Sequence, residues 1–451
     1  MRPNILFYFT DQQRADTCGC YGQPLAVTPR LDQLAARGTQ FRWAFSPQPV
    51  CGPCRAILQT GLWPTQTGCF RNDVMLPPDV PTLAQHLQAA GYECGYAGKW
   101  HLASGIDPAA GAYVDHRTAP IPPAYRGGYS GFWRAADVLE FTSGAFGGHV
   151  YDEAMHKRSF KGYRADRITD FALEFFDERD RAKPFFLMIS HIEPHHQNDA
   201  GHSIGPEGSQ ERFKDYVLPG DLKASPGTAR AEYPDYLGAC RSLDDNLGRV
   251  LDRLEGEGLL DSTVVIFASD HGSHFGSRNR DAHLHGADDY KRSCHDASLR
   301  VPLVIAGGPF SGGGVVEQLV STLSLPRTIL ALAGAGGGEA MAGEDLATLL
   351  GDPPAERANE VFAQISESRV GRCLRTPDYT YAVYAPGLEG STHAASPVYA
   401  DDFLYDLRKD PHQLNNLAAD PDYTVIKEEL RVRLLRHIQQ AEGAEPVIED
   451  A

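Results

Sequence analysis

No long apolar run interrupts this 451-residue sequence. The run near its start, Ile5-Leu6-Phe7-Tyr8-Phe9, is too short to span a bilayer, which needs about 20 apolar residues. No cleavage site follows it, so it does not read as a signal peptide, and no membrane partner is expected. Basic charge is in deficit: 42 Lys and Arg stand against 59 Asp and Glu, a formal charge of −17. Nucleic acid is therefore excluded as the expected partner, because phosphate backbones are bound by basic surface. An anionic substrate would have to be held by a local cationic cluster against the overall field. Paired cysteines are lacking too. The nine, Cys18, Cys20, Cys51, Cys54, Cys69, Cys94, Cys240, Cys294 and Cys373, are odd in number and scattered. That pattern suits a reducing cytoplasm, the expected location, better than a disulfide framework. No internal repeat or extended low-complexity segment is present.

What is there is an alternation of strand and helix patterns. Ile5 to Phe9 reads as a buried parallel strand. Thr28 to Arg37 reads as a helix with Leu31, Leu34 and Ala35 on one face and Gly38 as its stop. Pro81 to Ala90 is a second helix, Tyr92 to Ala97 a strand, Ala165 to Glu178 a helix and Phe185 to Ile189 a strand. A long helix through Leu237, Leu243, Leu247, Leu251 and Leu254 precedes the strand Val264 to Ala268, and Val301 to Ile305 is a further strand. Strands separated by helices imply parallel pairing in an α/β sandwich. About 102–160 and about 196–230 lack this rhythm and read as long loops at the mouth of a site; they carry Tyr, Trp133, His and Arg. Beyond Gly334 to Gly338 the pattern changes to short strands at Val361 to Ile365, Tyr379 to Tyr384 and Phe403 to Leu407, then an amphipathic helix from Thr424 to Gln440. The expected organisation is a catalytic domain over 1–350 and a small α+β domain with an antiparallel sheet over 351–451.

Residues able to do chemistry gather where strands end. Asp11 follows the first strand, where ligand sites form in open α/β sheets, although a helix-capping Asp is the simpler alternative there. Asp270-His271 repeats the theme, and together they could meet around one divalent cation such as Ca²⁺ or Mg²⁺. Gly98-Lys99-Trp100-His101 follows another strand, as does Ser190-His191-Ile192-Glu193-Pro194-His195-His196. Lys291 opens Lys291-Arg292-Ser293-Cys294-His295-Asp296. Cys51-Gly52-Pro53-Cys54-Arg55 could by itself be a redox pair or two buried thiols.

In that order and nearly across the whole chain, these motifs resemble those of type I, formylglycine-dependent sulfatases. The Cys-x-Pro-x-Arg frame at 51–55 resembles the activation signature, and Gly98 to His101 the second signature. The resemblance implies an alkaline-phosphatase-like α/β sandwich, with a central, mostly parallel sheet and the small C-terminal domain. It implies a sulfatase that hydrolyses sulfate monoesters, with carbohydrate sulfates the expected substrates. A formylglycine-generating maturation enzyme would convert Cys51 to formylglycine, whose hydrate is the nucleophile. One divalent cation, Ca²⁺ with Mg²⁺ or Mn²⁺ as alternatives, would be held by Asp11, Gln12, residue 51, Asp270 and His271. Arg55 would support the nucleophile, Lys99, His195 and Lys291 bind the sulfate, and His195 or Lys291 protonate the leaving alcohol. His101 would deprotonate the second hydroxyl. Three departures from the family pattern stand out: Cys54 for a more usual Ser, Gln12 for a second Asp, and His271 for the Asn of some members. A phosphonate monoester or phosphodiester hydrolase on the same scaffold is the alternative, and the sequence leaves a homo-oligomer open.

Overall fold

The structure is a computed structural model that describes residues 2–279, 290–351 and 355–450. Its centre is five parallel strands: β1 (Asn4–Asp11), β2 (Glu93–Lys99), β3 (Trp133–Ala136), β4 (Phe185–Pro194) and β5 (Thr263–Ser269), side by side in the order β5-β1-β4-β2-β3. Strands joined mostly by antiparallel pairing extend both flanks, with Gly314–Ser321 parallel to Thr39–Phe45, and bring the sheet to 12 strands among the described residues. The expected mostly parallel sheet is thus parallel at its centre and mixed at its edges.

Alternation along β1 shows why both faces are covered. Ile5, Phe7 and Phe9 join one apolar cluster, Leu6 and Tyr8 the other. The first face is packed by α2 (Cys51–Thr60), by the helix Leu83–Ala89 and by the helix Leu325–Ala333. On the second lie α1 (Pro29–Arg37), the helix Arg164–Glu178 and α3 (Ala229–Gly256). A strand buried on both sides must be apolar throughout, which is the pattern of these central strands. Among the described residues no helix is long and apolar enough to cross a membrane.

A second sheet of five strands runs from Val361 to Glu449. It is antiparallel except at one edge, where Val398–Asp406 pairs in parallel with Val447–Glu449. The helix Thr424–Glu442 covers it through Leu430, Leu434 and Ile438. This unit shares two apolar clusters with the large sheet's unit: Ile57 of α2, Trp63 and Leu323 pack into one, Phe45, Leu299 and Leu319 into the other.

Several sequence expectations need correction. Residues 102–160 are not loop throughout: β3, Gly147–Asp152 and Lys157–Lys161 are strands of the large sheet. Trp133 does not line a mouth. It is fully buried among Tyr96, Trp100 and Tyr129. Thr39–Phe45, Gly314–Ser321 and Gly371–Arg375 are strands that apolar patterning did not signal, because polar residues interrupt each. Pro302, which has no N–H for a ladder, splits the expected strand over 301–305 into Arg300–Val301 and Leu303–Ala306.

One carboxylate fastens α3 to α1. Thr28, the residue before α1, makes no capping bond with its side chain. Instead the buried Asp244 of α3 accepts from the Arg30 and Leu31 backbone N–H groups at 2.9 and 2.8 Å, donors that a helix start leaves unsatisfied. Asp244→Ala is expected to cost about 1–3 kcal/mol, read as a lower urea midpoint, with turnover per folded molecule unchanged. Asp244→Asn, which keeps an acceptor, should cost less.

Candidate active site

The side chains that can do chemistry project from the C-terminal ends of the parallel strands. Asp11 closes β1 and Lys99 closes β2; His195 follows β4, and Asp270 and His271 follow β5. Local geometry makes this convergence possible. Between Phe9 and Asp11, two steps along β1 match four along β4 (Ser190 to Pro194); such a bulge re-aims side chains at a sheet edge. Gly98 has φ +109°, and a β-carbon there would stand 1.9 Å from the Ser190 carbonyl oxygen. Only glycine lets β2 approach β4 this closely just before Lys99. Gln12 and His101 hold positive φ, 68° and 60°, a left-handed conformation that costs energy for residues with side chains and clusters at functional sites.

Cys51 is the first residue of α2, where the helix presents the positive end of its dipole. Its Sγ lies 3.0 Å from Lys291 Nζ, 3.4 Å from His271 Nε2 and 3.6 Å from Asp11 Oδ1. Burial alone would push the thiol up, but Lys291, Lys99, His271 and a hydrogen bond from the His101 side chain hold it well below the usual thiol range. The position therefore favours an anion on residue 51. Cys54 is the opposite case. Its Sγ donates to the Asp270 carbonyl at 3.2 Å, and burial pushes its thiol up. All nine cysteines are unpaired, so Cys51 and Cys54 do not form a redox bridge here.

Arg55 and Lys99 both reach Asp11. Arg55 Nη2 is 3.0 Å and Lys99 Nζ 2.9 Å from Asp11 Oδ2. Arg55 Nη1 also donates to the Lys99 carbonyl and to Ser190 Oγ. Lys291 Nζ lies 2.9 Å from His195 Nε2 and 3.5 Å from Gln12 Oε1. His195 Nδ1 faces the His196 carbonyl at 2.6 Å. A carbonyl only accepts, so Nδ1 carries the proton and the Nε2 lone pair accepts from the Lys291 ammonium.

One cluster suits a cation. Donor atoms of Asp11, Cys51, Asp270 and His271 all lie within 4.8 Å of one another. His271 Nδ1 donates to the Gly272 carbonyl, leaving Nε2 3.5 Å from Asp270 Oδ2 and 3.7 Å from Asp11 Oδ1. Asp270 Oδ1 accepts from the Gln12 and His271 backbone N–H groups, whereas buried Oδ2 has no hydrogen-bond partner. Burial and the neighbouring Asp11 push the Asp270 carboxyl up. Acceptors that converge with only the residue-51 thiol as a donor between them are what a divalent cation satisfies. Gln12 is drawn toward Lys291 by its Oε1, its Nε2 being buried without a partner.

The residues to which the resemblance gave a role thus meet at one end of the sheet. His191 does not join them: it is fully buried, its ring 4.9 Å from that of Tyr8 and tilted 44° to it, and burial with Arg164 nearby lowers its imidazole to about 3. His196 is sandwiched between His195 and Tyr290, each at 4.3 Å. The sequence reading missed Asp137 and Glu140. Asp137 Oδ1 accepts from the Leu102 and Ala103 N–H groups, and its carbonyl accepts from His101 N–H, so it holds the loop carrying His101. Glu140 Oε1 is 3.0 Å from Lys99 Nζ. Both lie in the stretch read as patternless loop, and no spacing rule marks them.

The profile of the Sulfatase family matches residues 3–335. An ulvan-active sulfatase of Formosa agariphila is 29% identical over 462 residues, covering 97% of this chain and 81% of that relative. An N-acetylglucosamine-6-O-sulfatase of Bacteroides thetaiotaomicron is 25% identical over 524 residues, covering 97% and 86%. Among solved structures, the phosphonate monoester hydrolase of Agrobacterium radiobacter superposes with a TM-score of 0.70 at 23% identity, over 97% of this chain and 96% of that one. That likeness concerns the fold alone.

The two cysteines of the 51–55 frame separate in experiment. Cys51→Ala should abolish turnover. Cys54→Ser, whose hydroxyl can replace the bond to the Asp270 carbonyl, should keep most of it. Peptide mass spectrometry of active protein should find the residue-51 peptide about 18 Da lighter than its thiol form, the mark of an aldehyde.

Proposed function

The chain belongs to the sulfatase family and is a sulfuric ester hydrolase, and we propose that the esters it cleaves are sulfate monoesters of a carbohydrate, through residue 51 converted to formylglycine. The observation that carries the reading is residue 51 at a helix N-terminus, between Lys291 and the Asp11, Asp270 and His271 donors. The two relatives named for ulvan and N-acetylglucosamine 6-sulfate support the carbohydrate.

The donor set supports the conversion. Two carboxylates and an imidazole around a thiolate would suit a softer metal, whereas the same groups around a diol oxygen suit a hard cation. We assign Ca²⁺, whose ligands at about 2.3–2.6 Å stand up to about 5 Å apart. When bound, the cation polarises the sulfate oxygens and favours the ionised hydroxyl on residue 51. The chain's own residues do the rest. Asp11, Asp270 and His271 hold the ion. Arg55, fixed by Asp11 and the Lys99 carbonyl, orients residue 51. Lys99 and Lys291 bind the sulfate oxygens, as fixed cations in a dry site do most effectively. Lys291, hydrogen-bonded to His195 Nε2, gives the proton to the leaving alcohol with His195 as its support. One hydroxyl of the residue-51 hydrate attacks sulfur as the bond from sulfur to the alcohol oxygen breaks; His101 then takes the proton of the other hydroxyl, so that the aldehyde re-forms and sulfate leaves with the oxygen that attacked. Arg55 and Lys99 are already matched by Asp11 and Glu140. The surplus positive charge is therefore small, which suits a singly charged sulfate monoester better than a nearly doubly charged phosphate monoester. Conversion of Cys51 requires a maturation enzyme as partner.

Chelation should inactivate the converted enzyme and lower its melting temperature, and Ca²⁺ should restore both, since a ligand bound only by the folded state stabilises it. A metal-depleted enzyme that keeps full activity overturns the assignment. Lys291→Ala or His195→Ala should slow a sugar sulfate by roughly 10²–10⁴ and an activated aryl sulfate much less, because only the sugar alkoxide needs the proton. Faster turnover of an aryl phosphonate monoester than of the matched aryl sulfate would overturn the sulfate reading.

A further inference from the structure

Among the described residues, the exposed large aromatic side chains are Tyr113, Phe141 and Phe146, all within 34 residues of one another in sequence and 51%, 54% and 46% accessible. Two of them form a unit. The Arg117 guanidinium lies 5.7 Å from the Tyr113 ring centroid and 5.3 Å from that of Phe141. Asp115 fixes it with two hydrogen bonds, Arg117 Nε to Oδ1 at 3.0 Å and Nη2 to Oδ2 at 2.8 Å. The charge of Arg117 is thereby matched, and its flat group serves as a brace between two rings from separate segments. Half-exposed aromatic rings are costly to leave in water and commonly mark a binding surface.

Several independent ties place this unit beside the catalytic groups. Phe141 follows Glu140, whose carboxylate pairs with Lys99 Nζ at 3.0 Å. The segment carrying Tyr113 and Arg117 grows out of the loop after His101, and the Ser104 hydroxyl accepts from its His116 N–H at 2.8 Å. Tyr113 also pairs with Ile106 in a short antiparallel ladder, and the Ile106 N–H donates to the Asp73 carbonyl at 2.8 Å. Asp137 holds His101 by its carbonyl, and Asn72, beside Asp73, holds the Gly52 N–H next to Cys51. The unit therefore borders the site on the side of Lys99 and His101.

We propose that Tyr113 and Phe141, braced by Arg117, are the platform on which a pyranose ring of the substrate stacks while its sulfate occupies the Lys99–Lys291 pocket. The proposal rests on the carbohydrate reading above and deepens it. A pyranose offers an apolar C–H face to an aromatic ring, and a charge-matched platform selects by that face rather than by further anionic groups. Glu140 then has two neighbours in one function: Lys99 on its inner side and the sugar-bearing Phe141 next to it in the chain. The platform discriminates substrates by affinity, so it acts on KM and leaves the chemical step alone.

The test uses the converted, metal-loaded enzyme with a panel of monosulfated hexoses and hexosamines, 4-nitrophenyl sulfate, and inorganic sulfate as inhibitor. In Tyr113→Ala/Phe141→Ala, KM for the best sugar sulfate should rise roughly tenfold or more, the scale of a lost aromatic contact or two, with kcat within about threefold. The inhibition constant of inorganic sulfate, which fills only the anion pocket, should stay within about threefold. Tyr113→Phe should behave as wild type. An unchanged KM for the sugar overturns the platform alone. So does a parallel loss of sulfate inhibition, which would mean that the anion pocket itself had collapsed. A wild type that cleaves 4-nitrophenyl sulfate but no sugar of the panel overturns the carbohydrate reading, and the platform with it.

Discussion

The Asp11 carboxylate is the charge around which the site is arranged. It is wholly buried, and burial together with the neighbouring Cys51 would push it up. Lys99, His195 and Arg55 outweigh both and hold it well below the usual carboxylate range. Oδ2 receives Arg55 and Lys99, while Oδ1 faces Cys51 and His271. One oxygen thus satisfies the two cations that orient and bind, and the other belongs to the donor cluster. An unpaired buried charge costs about 3–5 kcal/mol. Losing Asp11 would leave Arg55 and Lys99, both buried, to find other partners, and the nearest are Asp270 and Glu140. The lattice of charges is therefore closed: its geometry cannot relax at one member without moving the rest.

Positioning extends beyond the large sheet. Glu367 of the second sheet's unit accepts from Asn72 N–H at 2.7 Å and pairs with Arg292 at 2.5 Å. Asn72 holds Gly52 beside the nucleophile position, and Arg292 adjoins Lys291. Behind them, Ile57 on the far side of α2 packs into the apolar cluster of that same unit. The second sheet's unit, through Glu367 in the turn between Val361–Ile365 and Gly371–Arg375, therefore fixes both ends of the reacting geometry, the helix that starts at residue 51 and the segment that presents Lys291. A helix buried on every side, as α2 is, can hold its first residue rigidly only if each face is packed. The second unit supplies one of those faces.

How much was legible in the sequence follows from what each residue does. The central strands were readable because burial on both faces demands apolar residues throughout, and α1 and α3 because their apolar stripes recur at helical spacing. The donor and cation residues were readable because their chemistry admits few residue types, and because they follow strand ends in a familiar string. Thr39–Phe45 was not readable: its Gln40 and Arg42 interrupt the run, and its place in the sheet depends on partners more than 250 residues away. Trp133 was misread for a related reason. An aromatic residue in a Gly-rich stretch looks like a surface ring, and only packing against Tyr96 and Trp100 makes it core. Asp137 and Glu140 act through backbone N–H groups and through Lys99, contacts created by folding, so local spacing does not record them.

The charge balance of the chain and that of the site are two parts of one design. A molecule of charge −17 repels an anionic substrate at long range, so capture must come from groups felt only close in. Lys99, Lys291 and the donor cluster are buried, where a low local dielectric makes each charge count for more than at the surface. Because Asp11 and Glu140 already match Arg55 and Lys99, the site avoids the self-repulsion that several bare buried cations would bring. It still keeps a small positive surplus where a single negative charge must sit. Affinity for the rest of the substrate then has to come from uncharged contact, and the wall beside Lys99 offers aromatic faces whose one guanidinium, Arg117, is already matched by Asp115.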